Sequence, residues 1–197
     1  MNSKDTVIQR FKDSIAIKQQ IINDESLIEM VCRIADELAE VIGNGNKLVL
    51  CGNGGSASDA LHFAGEIVGR FQKERPSWPA IVLNADVSTI TAIANDYGYE
   101  DVFAHQAMGM VREGDMFVGI STSGNSENVL RAAKVSKEKG AVTAALLGRD
   151  GGKLKNIVDY PVVVKCDNTA RIQESHICVI HIICELVEEK LTQRQHE

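Results

Sequence analysis

No stretch of about eighteen consecutive apolar residues occurs in this 197-residue sequence, which argues against a membrane-spanning helix. An apolar core of a secretory leader is missing as well. The first twenty residues, MNSKDTVIQRFKDSIAIKQQ, are charged throughout and are not expected to act as an export signal. Cys-x-x-C pairs are absent, and the cysteines (Cys32, Cys51, Cys166, Cys178 and Cys184) are odd in number. Most stand in apolar runs, so they read as buried free thiols in a reducing cytoplasm. Clustered Lys and Arg are also lacking, and the net charge of −6 argues against a nucleic-acid surface. That charge repels anions at long range. Any phosphate must therefore be held by local backbone donors and helix ends. Internal repeats and low-complexity segments are absent, so residues 1–197 read as a single domain.

What is present is an ordinary core-forming composition, 44% hydrophobic and 24% charged. Residues 1–45 hold two helical segments, about 4–22 and 27–43. In the second, Ile28, Val31, Cys32, Ala35, Leu38 and Val41 recur at helical spacing. Residues 46–197 hold five short β-like runs: Leu48–Cys51, Ala80–Leu83, Met116–Ile120, Val142–Leu147 and Pro161–Val164. Rich in Val, Ile and Leu without clean alternation, they suit strands buried on both faces. Helical stretches separate them, and a terminal helix over about 170–192 follows. The pattern predicts an α/β fold: a three-layer α/β/α sandwich around a five-stranded parallel sheet. Ligands in such folds sit beyond the carboxyl ends of the strands.

Two turns stand at such ends. After the first strand comes Gly52-Asn53-Gly54-Gly55-Ser56-Ala57-Ser58-Asp59. Its glycines permit a sharp turn and close approach to a ligand. Ser56 is expected to cap the following helix, with Asp59 three residues on in the manner of a capping box. The spacing fits neither dinucleotide-binding nor P-loop fingerprints. After the third strand, Ser121, Thr122, Ser123 and Ser126 put four hydroxyls within six residues at a helix start. A capping turn needs one hydroxyl. Four, with free amides and the positive end of the helix dipole, predict a phosphate cradle. No lysine lies in the loop, which suits a monophosphate.

His62 and Glu66 are four apart on the helix after the first turn, so they share a face and make half of a zinc-type site. Taken alone, such a pair is more often a solvated surface contact. His181 lies in Ile-His-Ile-Ile, where a hydrogen-bonded core histidine is the ordinary expectation.

Taken together, Cys51-Gly-Asn-Gly-Gly-Ser, Asp59-Ala-Leu-His62-Phe-Ala-Gly-Glu66, Gly69-Arg70-Phe71, Asn95-Asp96-Tyr97-Gly98, Gly119-Ile-Ser-Thr-Ser-Gly-Asn-Ser126 and Arg171-Ile-Gln-Glu-Ser-His176 resemble the sugar isomerase (SIS) family, and within it the bacterial phosphoheptose isomerases. The resemblance runs from about residue 47 to 190. It implies conversion of sedoheptulose 7-phosphate to D-glycero-D-manno-heptose 7-phosphate for surface polysaccharide. It also implies one zinc ion per subunit, and a cytoplasmic homotetramer with active sites between subunits. Substrate contacts then fall on Asn53, Gly54, Gly55, Glu66, Asn95, Asp96, Ser121, Thr122, Ser123, Ser126 and Gln173, with Ser56 and Arg70 as further candidates. Metal ligands fall on His62, Glu66, Gln173 and His181. Glu66 is the expected base and His181 its acid partner.

One geometric tension accompanies this set. Thr169 is expected to cap the terminal helix, with Gln173 in its first turn. Eight residues then separate Gln173 from His181, about 12 Å of rise. Either the first turn is irregular or two subunits supply these ligands, and the second is the expectation. His181 and Glu185 form a competing i, i+4 pair. Two other functions stay open: isomerisation of a different sugar phosphate, and a non-catalytic SIS protein that binds a replication initiator.

Overall fold

The computed structural model describes residues 2–194. Two helices come first, α1 (Ser3–Ile22) and α2 (Glu25–Gly43). The Asp24 side chain caps α2 by accepting from the Leu27 amide at 3.2 Å. Of the expected stripe of α2, Val31, Ala35, Leu38 and Val41 are buried, together with Ile34, but Ile28 and Cys32 are exposed; α1 buries none of its residues. Val7, Phe11 and Ile15 of α1 lie open on this single chain.

The rest alternates strand and helix: β1 (Leu48–Gly52), α3 (Gly55–Val68), β2 (Ala80–Val82), α4 (Val87–Tyr97), α5 (Ala104–Met110), β3 (Met116–Ser121), α6 (Glu127–Glu138), β4 (Val142–Gly148), β5 (Tyr160–Val164) and α7 (Thr169–Arg194). All pairings are parallel, in the order β2-β1-β3-β4-β5. Every residue of β1 and β3 is buried, which is why these strands carry no polar alternation. Helices α2, α3 and α7 cover one face of the sheet around Leu38, Phe63 and Ile183. Val102 and Phe103, with α4 to α6, cover the other face. The expected three-layer α/β/α sandwich with five parallel strands is the observed fold.

Strand order reverses between β1 and β3, because β2 lies on the far side of β1 while the chain continues through β3 to β5. Such a switch point opens a crevice at the carboxyl ends of the two strands. Both turns singled out above open into it.

Local starts differ from expectation at two helices. Ser56 does not cap α3: the cap is Gly54, at φ 55° and ψ −123°, with no side-chain bond, and Ser56 is buried within the first turn. Only glycine adopts that backbone readily, so the turn is made by Gly54 rather than by a hydroxyl. At α7 the cap is Asn168, whose Oδ1 accepts from the amides of Ala170 (3.0 Å) and Arg171 (3.4 Å). Thr169 is therefore already helical, and Gln173 falls in the second turn. The cysteines are all free, but only Cys51 and Cys184 are buried; Cys32 is exposed. Among the described residues no helix is long and apolar enough to cross a membrane.

Candidate active site

At the switch point the two turns are tied side by side. Asn53 and Asn128 exchange side-chain hydrogen bonds, Nδ2 of each donating to Oδ1 of the other at 2.9 and 3.0 Å. The Tyr99 hydroxyl adds a third bond to Asn53 Oδ1 at 3.1 Å. The Gly52 amide donates to Asn84 Oδ1 at 3.1 Å, fixing the glycine turn from below. Asn84, Tyr99 and Asn128 were not singled out from the sequence; Asn128 is a buried polar residue in the first turn of α6, and its pairing with Asn53 across 75 residues leaves no local signal.

The hydroxyl turn has the geometry of a cradle. Ser121 Oγ lies 3.0 Å from Ser126 Oγ and 3.5 Å from Ser123 Oγ. Ser126 is the N-cap of α6, yet its hydroxyl makes no bond to a helix amide. The hydroxyls thus face one another at a helix start, where positive potential and unsatisfied amides favour an anion. Thr122 stands between Ser121 and Ser123 and is half-buried.

A second constellation lies lower on the molecule, where α3 runs beside α7. His62 Nε2 is 3.0 Å from Glu66 Oε1 and 3.1 Å from His181 Nε2. The three ligand atoms all lie within 4.8 Å of one another, and among the described residues this is the group placed to hold an ion. With neutral rings the arrangement is frustrated. One Nε2 proton on His62 can serve Glu66 only by denying His181 an acceptor, and an unprotonated His62 Nε2 turns a lone pair toward the carboxylate. A cation among the three resolves both contacts. Tetrahedral zinc with Zn–N of about 2.0–2.1 Å sets its ligands about 3.3 Å apart, close to the two shorter separations here. The donor set fits such an ion.

His62 is exposed and the Glu66 side chain is a quarter exposed, so the cluster opens outward. Asp59, one turn before His62, has a carboxyl held above its ordinary range by burial and partly offset by His62; its Oδ2 is buried without a partner among the described residues. Phe71 packs its ring 5.8 Å from the His181 ring. His176, by contrast, is structural: fully buried, it donates from Nε2 to the Leu147 carbonyl at 2.9 Å.

Not all the expected residues meet. The Gln173 amide rests against Gly55, where any Cβ would collide with it. That places Gln173 at the head of α3, about 12 Å along α7 from His181. The cluster of one chain thus forms without Gln173. Asn95 and Asp96 are exposed near the end of α4, where Asn95 Nδ2 donates to Asp96 Oδ1 at 2.8 Å. Arg70 is exposed just past the end of α3, its Nε 3.6 Å from Glu74.

The SIS domain family model matches residues 11–148. A phosphoheptose isomerase from Aneurinibacillus thermoaerophilus is 49% identical over 187 residues, covering 95% of this chain and 94% of the relative. The chain belongs to the phosphoheptose isomerase family. Two solved members share its architecture. The phosphoheptose isomerase of Neisseria gonorrhoeae superposes with a TM-score of 0.89 at 40% identity, covering 95% of this chain and all of that one. That of Francisella tularensis gives 0.91 at 36% identity, covering 96% and 100%. Within this family frame, the switch-point cradle and the His62–Glu66–His181 cluster are the candidate parts of the active site.

Proposed function

We propose that this protein is a cytoplasmic phosphoheptose isomerase, interconverting sedoheptulose 7-phosphate and D-glycero-D-manno-heptose 7-phosphate for surface polysaccharide. The observation that carries the reading is the convergence of Glu66, His62 and His181 on one point, in a chain whose relatives bear that name. Five free cysteines suit a reducing compartment, and a net charge of −6 offers nothing to nucleic acid.

The phosphate sits on Ser121, Thr122, Ser123 and Ser126. Asn53, Gly54, Gly55, Ser56 and Gln173 line the sugar beside it, and Asn95, Asp96 and Arg70 contribute from outside. Glu66 takes the proton from C1 and returns it at C2; only its Oε1 is engaged with His62, which leaves Oε2 for the substrate. His181 carries the proton between the two oxygens, a role that requires its Nε2 to leave the ion during that step. A zinc ion held by His62, Glu66, His181 and Gln173, one per subunit, would polarise the carbonyl and stabilise the enediolate charge.

This assignment calls for more than one chain. Helix α3 starts at the cradle and descends from it, so Glu66 is eleven residues, about 16 Å, below Gly55. The α3–α7 layer also lies across the sheet from α6. A single heptose phosphate does not span that path. In a homotetramer, the cluster of one subunit faces the cradle and Gln173 of another, which also resolves the 12 Å gap between the two ligands of α7.

The test is turnover of sedoheptulose 7-phosphate by the purified protein with zinc supplied, alongside a panel of hexose and N-acetylhexosamine phosphates. Selective heptose turnover, lost with chelator and regained with zinc, is expected. Failure on the heptose substrate with zinc present would overturn the assignment.

A further inference from the structure

Where α3 ends, a buried ion pair ties the two halves of the acid–base cluster together. Glu188 lies seven residues beyond His181, two turns along the same side of α7. Its Oε1 accepts from the Phe71 amide at 3.0 Å, and its Oε2 from the Gln72 and Lys73 amides at 2.7 Å each. Arg75 completes the set, its Nε donating to Glu188 Oε1 at 2.9 Å, with both side chains only 1% exposed. The same guanidinium then reaches back to α3. Nη2 donates to the carbonyl of Glu66 itself at 2.7 Å, and Nη1 to that of Ile67 at 3.0 Å. Trp78 closes the far side, its ring 3.6 Å from the guanidinium carbon.

These bonds answer a definite need. The last carbonyls of a helix lack partners, and a cation there both satisfies them and complements the dipole. A buried guanidinium in turn requires a carboxylate, and a buried carboxylate requires donors for all its lone pairs. Burial pushes the Glu188 carboxyl up, but the three amides and Arg75 outweigh it and hold the group below its ordinary range. A helix end in need only of a cap would not require this construction. Here the carbonyl being held belongs to Glu66, and the loop being held delivers Phe71 to the ring of His181.

We propose that Arg75 and Glu188 are positioning residues for the isomerisation, fixing the Glu66 backbone and the Phe71–His181 contact so that carboxylate and imidazole keep their mutual distance. The inference rests on the roles given to Glu66 and His181 above. Neither clamp residue touches substrate, so its removal affects the rate of proton transfer and leaves the phosphate end untouched.

Two conservative variants test it, each keeping opposite charges in the buried site. Arg75→Lys retains the cation but cannot span Glu188 and two carbonyls with one ammonium. Glu188→Asp retains the anion but draws it back from the loop amides. For each, circular dichroism establishes folding, steady-state kinetics with sedoheptulose 7-phosphate gives kcat and KM, and a cobalt(II) titration followed by visible absorption reads the cluster without turnover. We expect kcat to fall about 10–100-fold with KM within about twofold, and cobalt affinity to fall about tenfold. Folded variants with wild-type kcat and cobalt binding overturn the proposal. So does a matching rise in KM, which puts the effect on substrate binding, or failure of both to fold, which makes the clamp a matter of general stability. If the wild-type protein does not turn over the heptose, it is the functional reading that fails, and the cobalt titration still decides the clamp.

Discussion

Glu66 stands one helical turn from His62 on α3, while His181 reaches the same point from α7. A carboxylate so placed is a base only if it meets C1 of the sugar. Glu66→Gln keeps the shape and removes the basicity, so isomerisation and C1 proton exchange with solvent should fall by about 10²–10⁴-fold. Phosphate affinity should stay unchanged. Exchange followed by NMR in deuterated buffer checks this, and wild-type exchange in the variant would remove Glu66 from the role. At this scale the sequence was partly legible. The four-residue spacing put His62 and Glu66 on one face, but spacing alone left His181 a core histidine. Its partner lies 119 residues away, a separation that no local pattern reports. Glu188 left a fainter signal: a charge at the helical spacing of the buried Ile180 and Cys184. Gly54 hid the α3 cap, because a glycine caps by backbone conformation and carries no side chain to read.

Among the elements, α7 runs from Gln173 beside the glycine turn, past His181 of the cluster, to Glu188 of the clamp. Its deepest polar group is His176, fully buried against β4. Burial pulls this imidazole down to about 4, only partly opposed by its bond to Leu147. Below about pH 6.5 the unfolded chain accepts a proton that the folded chain refuses. Stability therefore falls as pH drops from about 6.5 to about 4, by about 2 kcal/mol between pH 7 and 5. Urea unfolding at those two values should show that slope in the wild type and lose it in His176→Gln. An unchanged slope in the variant would assign the pH dependence to other groups. The five strands and helices α1, α2 and α7 were read to within about two residues, because buried parallel strands are continuous apolar runs and α2 is strongly amphipathic, whereas α3 to α6 were expected only as unbounded helical stretches between strands. The caps were not legible, since Gly54 caps by backbone conformation alone, and Asn168 and Thr169 are adjacent residues that can each serve as an N-cap.

For the whole molecule, the five-stranded order places a reversal between β1 and β3, and the cradle proposed for the phosphate opens there. The sandwich was legible from strand–helix alternation. The vertical offset between cradle and cluster was not, because it depends on the direction in which α3 leaves the sheet edge. That offset is the basis for assigning one catalytic site to two subunits. The exposed apolar residues of α1, Phe11 and Ile15 among them, offer surface for such an assembly.

Subunit mixing tests that assignment most directly. A Glu66→Gln chain and a Ser121→Ala/Ser123→Ala chain, each inactive alone, are unfolded together, refolded at equal amounts and assayed on sedoheptulose 7-phosphate. Sites shared between subunits should restore about a quarter of wild-type activity, the share of random pairs that unite an intact cluster with an intact cradle. Mixed oligomers that form and remain inactive would mean that cradle and cluster must belong to one chain, contrary to the account given above.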